Sequence, residues 1–439
     1  MIIKKILSLS IISTILISPA LADNASHSYV EMDSVYSYKM MDPTTDISKK
    51  QQFLFRNKEE HLNEGTLYIG ASIIAIADYQ TSNRESKFGY LMRHPTSTNQ
   101  IGKEVSEIAL HSVQVQASGS ITPWMALYSE LLYNPQQSFG SGNNTSLGRN
   151  QVQVRKAYIL LGDKNEYPIY ASFGKQDVPF GLMDTVSPFT ASTVWHAFGP
   201  LAYSGIIGID INGFNASVTA IQGGAQFRSA NVPVKGTNVP SRINNFAADI
   251  NYSHEIMDNS NITVGASYIK GSAYNQEFPV THFNPGKKHN PAWDAYARLK
   301  LSNLTLQGEF AQTVKKWPGT HNPSPPLNVF AASKVSSFSI GGKYNFQNVV
   351  CKKDIDLSLE YSELKAGPKG SPWRLQSQLV AGISSMVRPN VKIFGEAIRV
   401  QGYAPLNNIS GDLNGVPGTT HSHKGARTHA FIVGLQASL

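Results

Sequence analysis

Charged side chains recur at alternate positions inside otherwise apolar segments of this chain, and cations lead the set. Arg155, with Gln151 and Gln153, opposes Val152, Val154 and Tyr158. Asp294, Arg298 and Lys300 oppose Trp293, Ala295, Ala297, Leu299 and Leu301. Lys343 opposes Ile340, Gly342 and Tyr344, and Arg374, with Gln376 and Gln378, opposes Trp373, Leu375 and Leu379. Lys175 belongs to the same set, and Asp249, Glu130, Glu309 and Glu360 also fall on polar faces. Fixed cations on one wall do electrostatic chemistry: they concentrate, bind and orient anions. The same residues, paired with the acids, could instead hold a wet wall together. Residue types alone leave both readings open.

Covalent chemistry finds no support. The chain lacks a G-x-S-x-G elbow, a P-loop, an H-E-x-x-H pair and a paired-cysteine zinc site, so no catalytic residue is assigned and the chain is not read as an enzyme. A single cysteine, Cys351, excludes an intramolecular disulfide framework. His421 and His423 lack a third ligand, so no metal or cofactor is expected. Nothing is patterned for nucleic acid.

The elements that carry these residues have a two-residue period. In Ile355–Ser362, Ile355, Leu357, Leu359 and Tyr361 share one face and Asp356, Ser358, Glu360 and Ser362 the other. Successive side chains of a strand point to opposite faces, so this is a strand period. About sixteen such segments run from 66 to 439, joined by connectors that alternate short and long. Asn212-Gly213 is a two-residue hairpin signal, because both residues tolerate positive φ. One connector, 366–371, is short where the rhythm asks for a long one. Short periplasmic turns alternating with long extracellular loops mark a transmembrane antiparallel β-barrel of about 16 strands. An Arg or Lys on the lipid face at mid-membrane costs about 2–4 kcal/mol, so the charged residues should face the lumen. Their mixed signs predict a wet, salt-bridged interior rather than a dry plugged one.

Three domains are expected. Residues 1–22 read as a signal peptide, with Lys4 and Lys5, an apolar stretch, and Ala20-Leu21-Ala22 as the cleavage site. Residues 23–65 read as a short periplasmic N-terminal segment, whose composition fits a helix or a disordered tail equally. It is too short for the plug domain of a TonB-dependent receptor. Residues 66–439 are the outer-membrane β-barrel. Its last strand, with Phe431, Val433, Leu435, Ala437 and Leu439 on one face, looks like a C-terminal barrel-assembly signal read by the assembly machinery, although Leu439 replaces the usual terminal aromatic. The expected location is the cell outer membrane of a Gram-negative bacterium.

The long connectors, with 366–371, carry 15 Lys or Arg against 4 acids, an excess of 11. Such a surface suits an anionic transported ligand and suits lipopolysaccharide phosphates equally well. The connector Leu182–Pro200 differs: it holds Phe189, Trp195, His196 and Phe198 and a single acid, Asp184. With Phe180 just before it, it is apolar enough to fold into the barrel as a constriction, or to pack on the rim. Pro179 cannot donate to a ladder and ends the strand ahead of it.

The segment Arg155–Gly162 followed by Tyr170-Ala-Ser-Phe-Gly-Lys-Gln-Asp-Val-Pro-Phe-Gly181 resembles the LbtU-type siderophore porin family, and is similar to the related FupA/FslE-type outer-membrane iron-uptake proteins. The resemblance implies uptake of an anionic ferric siderophore, a polycarboxylate, without a plug-bearing receptor. It supplies no residue-level site. An anion-selective (phosphate-type) or general diffusion porin is the alternative, and a surface adhesin or phage receptor a third class. A homotrimer is common for porins of this size, and no residue pattern decides it.

Overall fold

The computed structural model describes residues 29–92, 102–134, 152–222, 243–274, 289–350, 352–406 and 409–439. The signal-peptide residues, Cys351 and much of the long connectors lie outside them. An N-terminal portion holds β1 (Val30–Glu31), α1 (Ser34–Met41) and α2 (Lys50–His61). The barrel strands are β2 (Leu67–Ser82), β3 (Glu104–Thr122), β4 (Met125–Tyr133), β5 (Val152–Leu161), β6 (Ile169–Asp177), β7 (Leu201–Ile211), β8 (Phe214–Gln222) and β9 (Ile243–Met257). They continue as β10 (Ser260–Ile269), β11 (Ala292–Leu301), β12 (Leu304–Thr313), β13 (Ser336–Val350), β14 (Lys353–Lys365), β15 (Leu375–Arg388), β16 (Val391–Tyr403) and β17 (His423–Ser438). A short helix α3 (Thr193–Phe198) lies in the connector after β6.

Each of β2 to β17 pairs antiparallel with its sequence neighbours, and β17 closes on β2 from Thr428↔Ser82 to Ser438↔Ser72. The result is a closed sixteen-stranded antiparallel barrel. Closure leaves no open edge along the wall, so its ladders pair backbone groups strand to strand without water. The sixteen predicted strands fall on these sixteen. Asn212 and Gly213 have φ of +49° and +81° and join Ile211 to Phe214 directly.

The outer wall is apolar. Ile73, Leu131, Ile159, Ile207, Val218, Ile250, Leu359, Ile383, Ile393 and Val433 are exposed on it. Aromatic residues mark its two ends: Trp124, Tyr167, Tyr252, Tyr344 and Phe346 toward the short turns, and Tyr79, Tyr203, Phe246, Tyr268 and Trp293 toward the long connectors. An apolar band between aromatic girdles is the lipid-facing surface of a transmembrane barrel. No helix among the described residues is long and apolar enough to cross a membrane.

Three sequence expectations need correction. Tyr158 is buried inside the barrel, not on the lipid face. The ladder slips between Glu130↔Lys156 and Leu131↔Val154, so Arg155 is an extra residue and both Arg155 and Lys156 turn inward. A bulge reverses the parity that alternation assumes. Trp373 is fully buried among the outer connectors, and Arg374 is exposed in the 366–374 connector, because β15 starts only at Leu375. The interior is not wet throughout: the N-terminal segment and the connector 178–200 both fold into it.

Candidate functional site

The lumen is built in three layers. Nearest the long connectors, Phe198, Tyr274, Trp317, Val335 and Trp373 form one buried cluster, with Phe330 packed on it. Trp373 Nε1 donates to Thr320 O at 2.9 Å, and Asn322 Nδ2 donates to Ser410 O at 2.7 Å, which stitches the connectors after β12, β14 and β16 together. The mouth is roofed by aromatics because these connectors return over the barrel instead of standing away from it.

The second layer is the inserted loop 178–200. Phe180, Phe189, Trp195, His196 and Phe198 are all buried within the barrel. A buried loop must find partners for its backbone amides, and three wall glutamates supply them. Glu309 on β12 accepts from Leu182 N at 2.7 Å and from Met183 N at 3.0 Å. Glu360 on β14 accepts from Val186 N at 2.9 Å and Thr185 Oγ1 at 2.8 Å. Glu396 on β16 accepts from Phe189 N at 2.8 Å and Thr190 N at 2.9 Å. The three sit on alternate strands of one wall, so the loop is hooked along a single side. Lys392 Nζ adds a bond to Pro188 O at 2.8 Å, and Gln378 Nε2 one to Ala191 O at 3.1 Å.

The third layer is the N-terminal segment. Tyr36, Met40, Leu54, Phe55 and Leu62 pack against Tyr68, Ala126, Tyr128, Tyr158, Leu160, Tyr170 and Ile206, all on the inner wall. Gly70 makes room for it: a Cβ there would lie 2.0 Å from Ser37 Oγ. Polar anchors complete the seat. Arg56 Nε lies 2.5 Å from Asp210 Oδ2, Lys49 Nζ lies 3.2 Å from Asp249 Oδ2, and Gln52 Nε2 donates to Asp210 at 3.0 Å. Asp33 caps α1 by accepting from Val35 N and Tyr36 N, each at 2.9 Å. Burial alone would raise the Asp42 carboxyl, but Lys392, Lys50 and the hydroxyls of Thr44 and Thr45 together hold it below its ordinary value. So about thirty residues, too few for a plug of the receptor kind, suffice here because the inserted loop has already narrowed the barrel.

Loop and segment touch. Thr185 N donates to Thr44 O at 3.1 Å, Ile47 N to Asp184 Oδ1 at 2.9 Å, and Ser48 Oγ to Gly181 O at 3.0 Å. The cavity left between Ile47, Ser48, Arg155, Asp177, Met183 and Trp195 is about 20 Å³. That is room for about one water and none for a solute.

The six predicted lumen cations are dispersed. Arg155 Nη1 lies 3.2 Å from Glu130 Oε1, and Arg298 pairs with Asp184. Lys175 Nζ donates to Val154 O at 2.6 Å. Lys343 is half-buried and Lys300 exposed, both on inward positions near the short-turn end, and Arg374 lies on the outside. Sequence reasoning passed over Lys156, whose Nζ is 2.5 Å from Asp177 Oδ2, and over Lys392, Glu396 and His111. Glu396 and Lys392 were available from the parity of β16. His111 was not: it is the extra residue between Ile74↔Ser112 and Ala75↔Leu110, turned inward onto the Phe189 ring at 4.9 Å. Among the described residues no cluster of three His, Cys, Asp or Glu could hold a metal ion.

No family model matches the chain. A curated relative, a UPF0422 protein of Coxiella burnetii, is 25% identical over 274 residues, 54% of this chain and 55% of that protein. The chain thus spans about half the length of the curated relative it matches. Among solved structures, an anion-selective porin from Comamonas acidovorans aligns with a TM-score of 0.51 and 11% identity over 85% of this chain and 99% of that one. OmpF of Salmonella typhi, in a complex with daunomycin, aligns with a TM-score of 0.50 and 10% identity over 85% and 97%. At such identities the likeness is one of fold: this chain is a closed sixteen-stranded antiparallel β-barrel of the kind found in outer-membrane porins.

Proposed function

We propose that this protein is an outer-membrane uptake barrel, closed at rest, that admits an anionic small molecule, with a ferric siderophore as first choice. The observation that carries the reading is the lumen's filling: among the described residues, the loop 178–200 and the N-terminal segment both pack inside the barrel, and the cavity at their junction beside Arg155 and Trp195 is about 20 Å³. Free diffusion needs a standing channel, so a barrel stoppered by its own chain fits gated uptake of a particular solute better. The excess of Lys and Arg on the long connectors supports an anion, and Asp184, one of their 4 acids, is buried inside, so it does not offset that surface charge.

An anion-selective or general diffusion porin is the second reading, favoured by the fold. Lipopolysaccharide accounts for the surface cations under either reading. The site of action is the outer membrane, reached after removal of residues 1–22, and a homotrimer fits the barrel type. The test is uptake of labelled iron complexes by a deletion strain, across several siderophores, under iron starvation. Restored uptake of one anionic complex by the cloned gene is expected. Unchanged iron uptake in the deletion strain, together with free chloride passage through reconstituted protein, would overturn the siderophore reading.

A further inference from the structure

We infer that the N-terminal segment, residues 30–62, is a withdrawable plug and the gate of this barrel, while the inserted loop 178–200 is its fixed constriction. The inference needs the barrel to be a conduit but does not depend on which solute it carries. Three features carry it.

The first is topology. Both ends of the segment sit at the short-turn rim. Leu67 N donates to Tyr29 O at 2.9 Å, and Gly65 N donates to Ser120 O at 2.8 Å, beside the β3–β4 turn. Everything between is one excursion into the lumen and back, so it can leave toward the periplasm without threading, at the cost of no more than the two-residue pairing of Val30–Glu31 with Leu67–Tyr68 at the rim. The loop has no such exit. It is strung between β6 and β7 and hooked by Glu309, Glu360 and Glu396.

The second is the chemistry of the seat. The segment's anchors are Arg56–Asp210, Lys49–Asp249, Gln116 Nε2 to Ser37 Oγ at 3.0 Å, and Lys58 Nζ to Gly162 O at 2.7 Å. Water can replace each of these on both partners, so withdrawal exchanges hydrogen bonds and leaves none unmade. The wall behind the helices carries Tyr68, Tyr128, Tyr158 and Tyr170, whose hydroxyls suit a hydrated passage once the helices have gone. The third is independence. Three described hydrogen bonds join segment and loop, and the loop keeps its wall glutamates when the segment departs.

The experiment is ion conductance of the full-length protein in planar bilayers of neutral lipid in potassium chloride. Two variants loosen the plug by different means: Lys49→Ala with Arg56→Ala removes its ion pairs, and Gly70→Val presses on Ser37. A tether is added to each by Glu59→Cys with Asn165→Cys in a Cys351→Ser background, since Glu59 and Asn165 are in contact at the exposed rim. Heat-modifiable mobility on a gel establishes that each barrel is folded, and a variant without it is replaced by the other. Loosening is expected to raise open probability roughly tenfold or more, crosslinking the two cysteines with a cleavable bismaleimide to abolish the gain, and cleavage to restore it. Folded, loosened barrels that conduct no more than the unaltered protein would overturn the inference, and so would crosslinked barrels that conduct freely. Plug-controlled chloride current with no iron-complex uptake would sink the siderophore reading and leave the plug standing.

Discussion

Asp184 and Arg298 form an ion pair inside the lumen, between the inserted loop and strand β11. The other carboxylate oxygen of Asp184 accepts from Ile47 N at 2.9 Å. One buried side chain therefore ties loop, wall and N-terminal segment at a single point. Removing one partner of a buried pair leaves an uncompensated charge, at about 3–5 kcal/mol. Arg298 keeps 26% of its side chain exposed, so Arg298→Met should fall toward the low end of that range. Asp184→Asn keeps an acceptor for Ile47 N and should cost less. Denaturant unfolding in detergent micelles ranks the two, and negligible loss in both would show that the pair does not hold the loop.

Burial pushes the Asp184 carboxyl above its ordinary value, Asp46 pushes the same way, and Arg298 opposes them. The folded state therefore binds this proton more tightly than the unfolded state. Between the ordinary Asp value, about 3.9, and the raised folded value, stability contributed by this group should fall as pH rises. Hydrogen-exchange protection factors of loop 178–200, corrected for the intrinsic pH dependence of exchange, should rise toward acid across that window, and Asp184→Asn should remove that group's slope. A slope unchanged in Asp184→Asn would assign it elsewhere.

The wall glutamates are expected to act through hydrogen bonding to the loop backbone. Glu396→Ala leaves Phe189 N and Thr190 N without their acceptor. Each unsatisfied buried donor costs about 1–3 kcal/mol. Glu396→Gln retains an oxygen and should cost clearly less. Limited proteolysis of the loop in folded barrels distinguishes them: faster cleavage in Glu396→Ala than in Glu396→Gln is expected.

Gly213 occupies φ +81° in the β7–β8 hairpin, and a Cβ there would lie 2.1 Å from Ser253 O. Gly213→Ala combines backbone strain with a backbone clash and should cost about 1–3 kcal/mol. The readout is the fraction of heat-modifiable barrel after refolding, which should drop. A yield equal to that of the unaltered protein would mean that the hairpin shifts freely.

Strand number, strand order and the two sides of the barrel were legible in the sequence because a two-residue period and connector length are local properties. Glu130, Glu309 and Glu360 were readable as inward for the same reason. Tyr158, Trp373, Arg155 with Lys156, and His111 were not. Two bulges reverse parity where the strand partner, not the strand itself, sets the register. Trp373 is claimed by connectors far away in the chain.

The sequence by itself determined a lipid-facing barrel, since alternation and closure are what a chain without a transmembrane helix needs to cross a bilayer. It also set the surplus of cations on the long connectors. Only the tertiary structure decided what the lumen holds. The N-terminal helices carry little amphipathic signal of their own, and they stay inside because tyrosines and acids from six strands of wall, β2, β4, β5, β6, β7 and β9, converge on them. The loop stays because glutamates 51 and 36 residues apart meet on one wall. Such convergence depends on barrel closure, which no local window of sequence records.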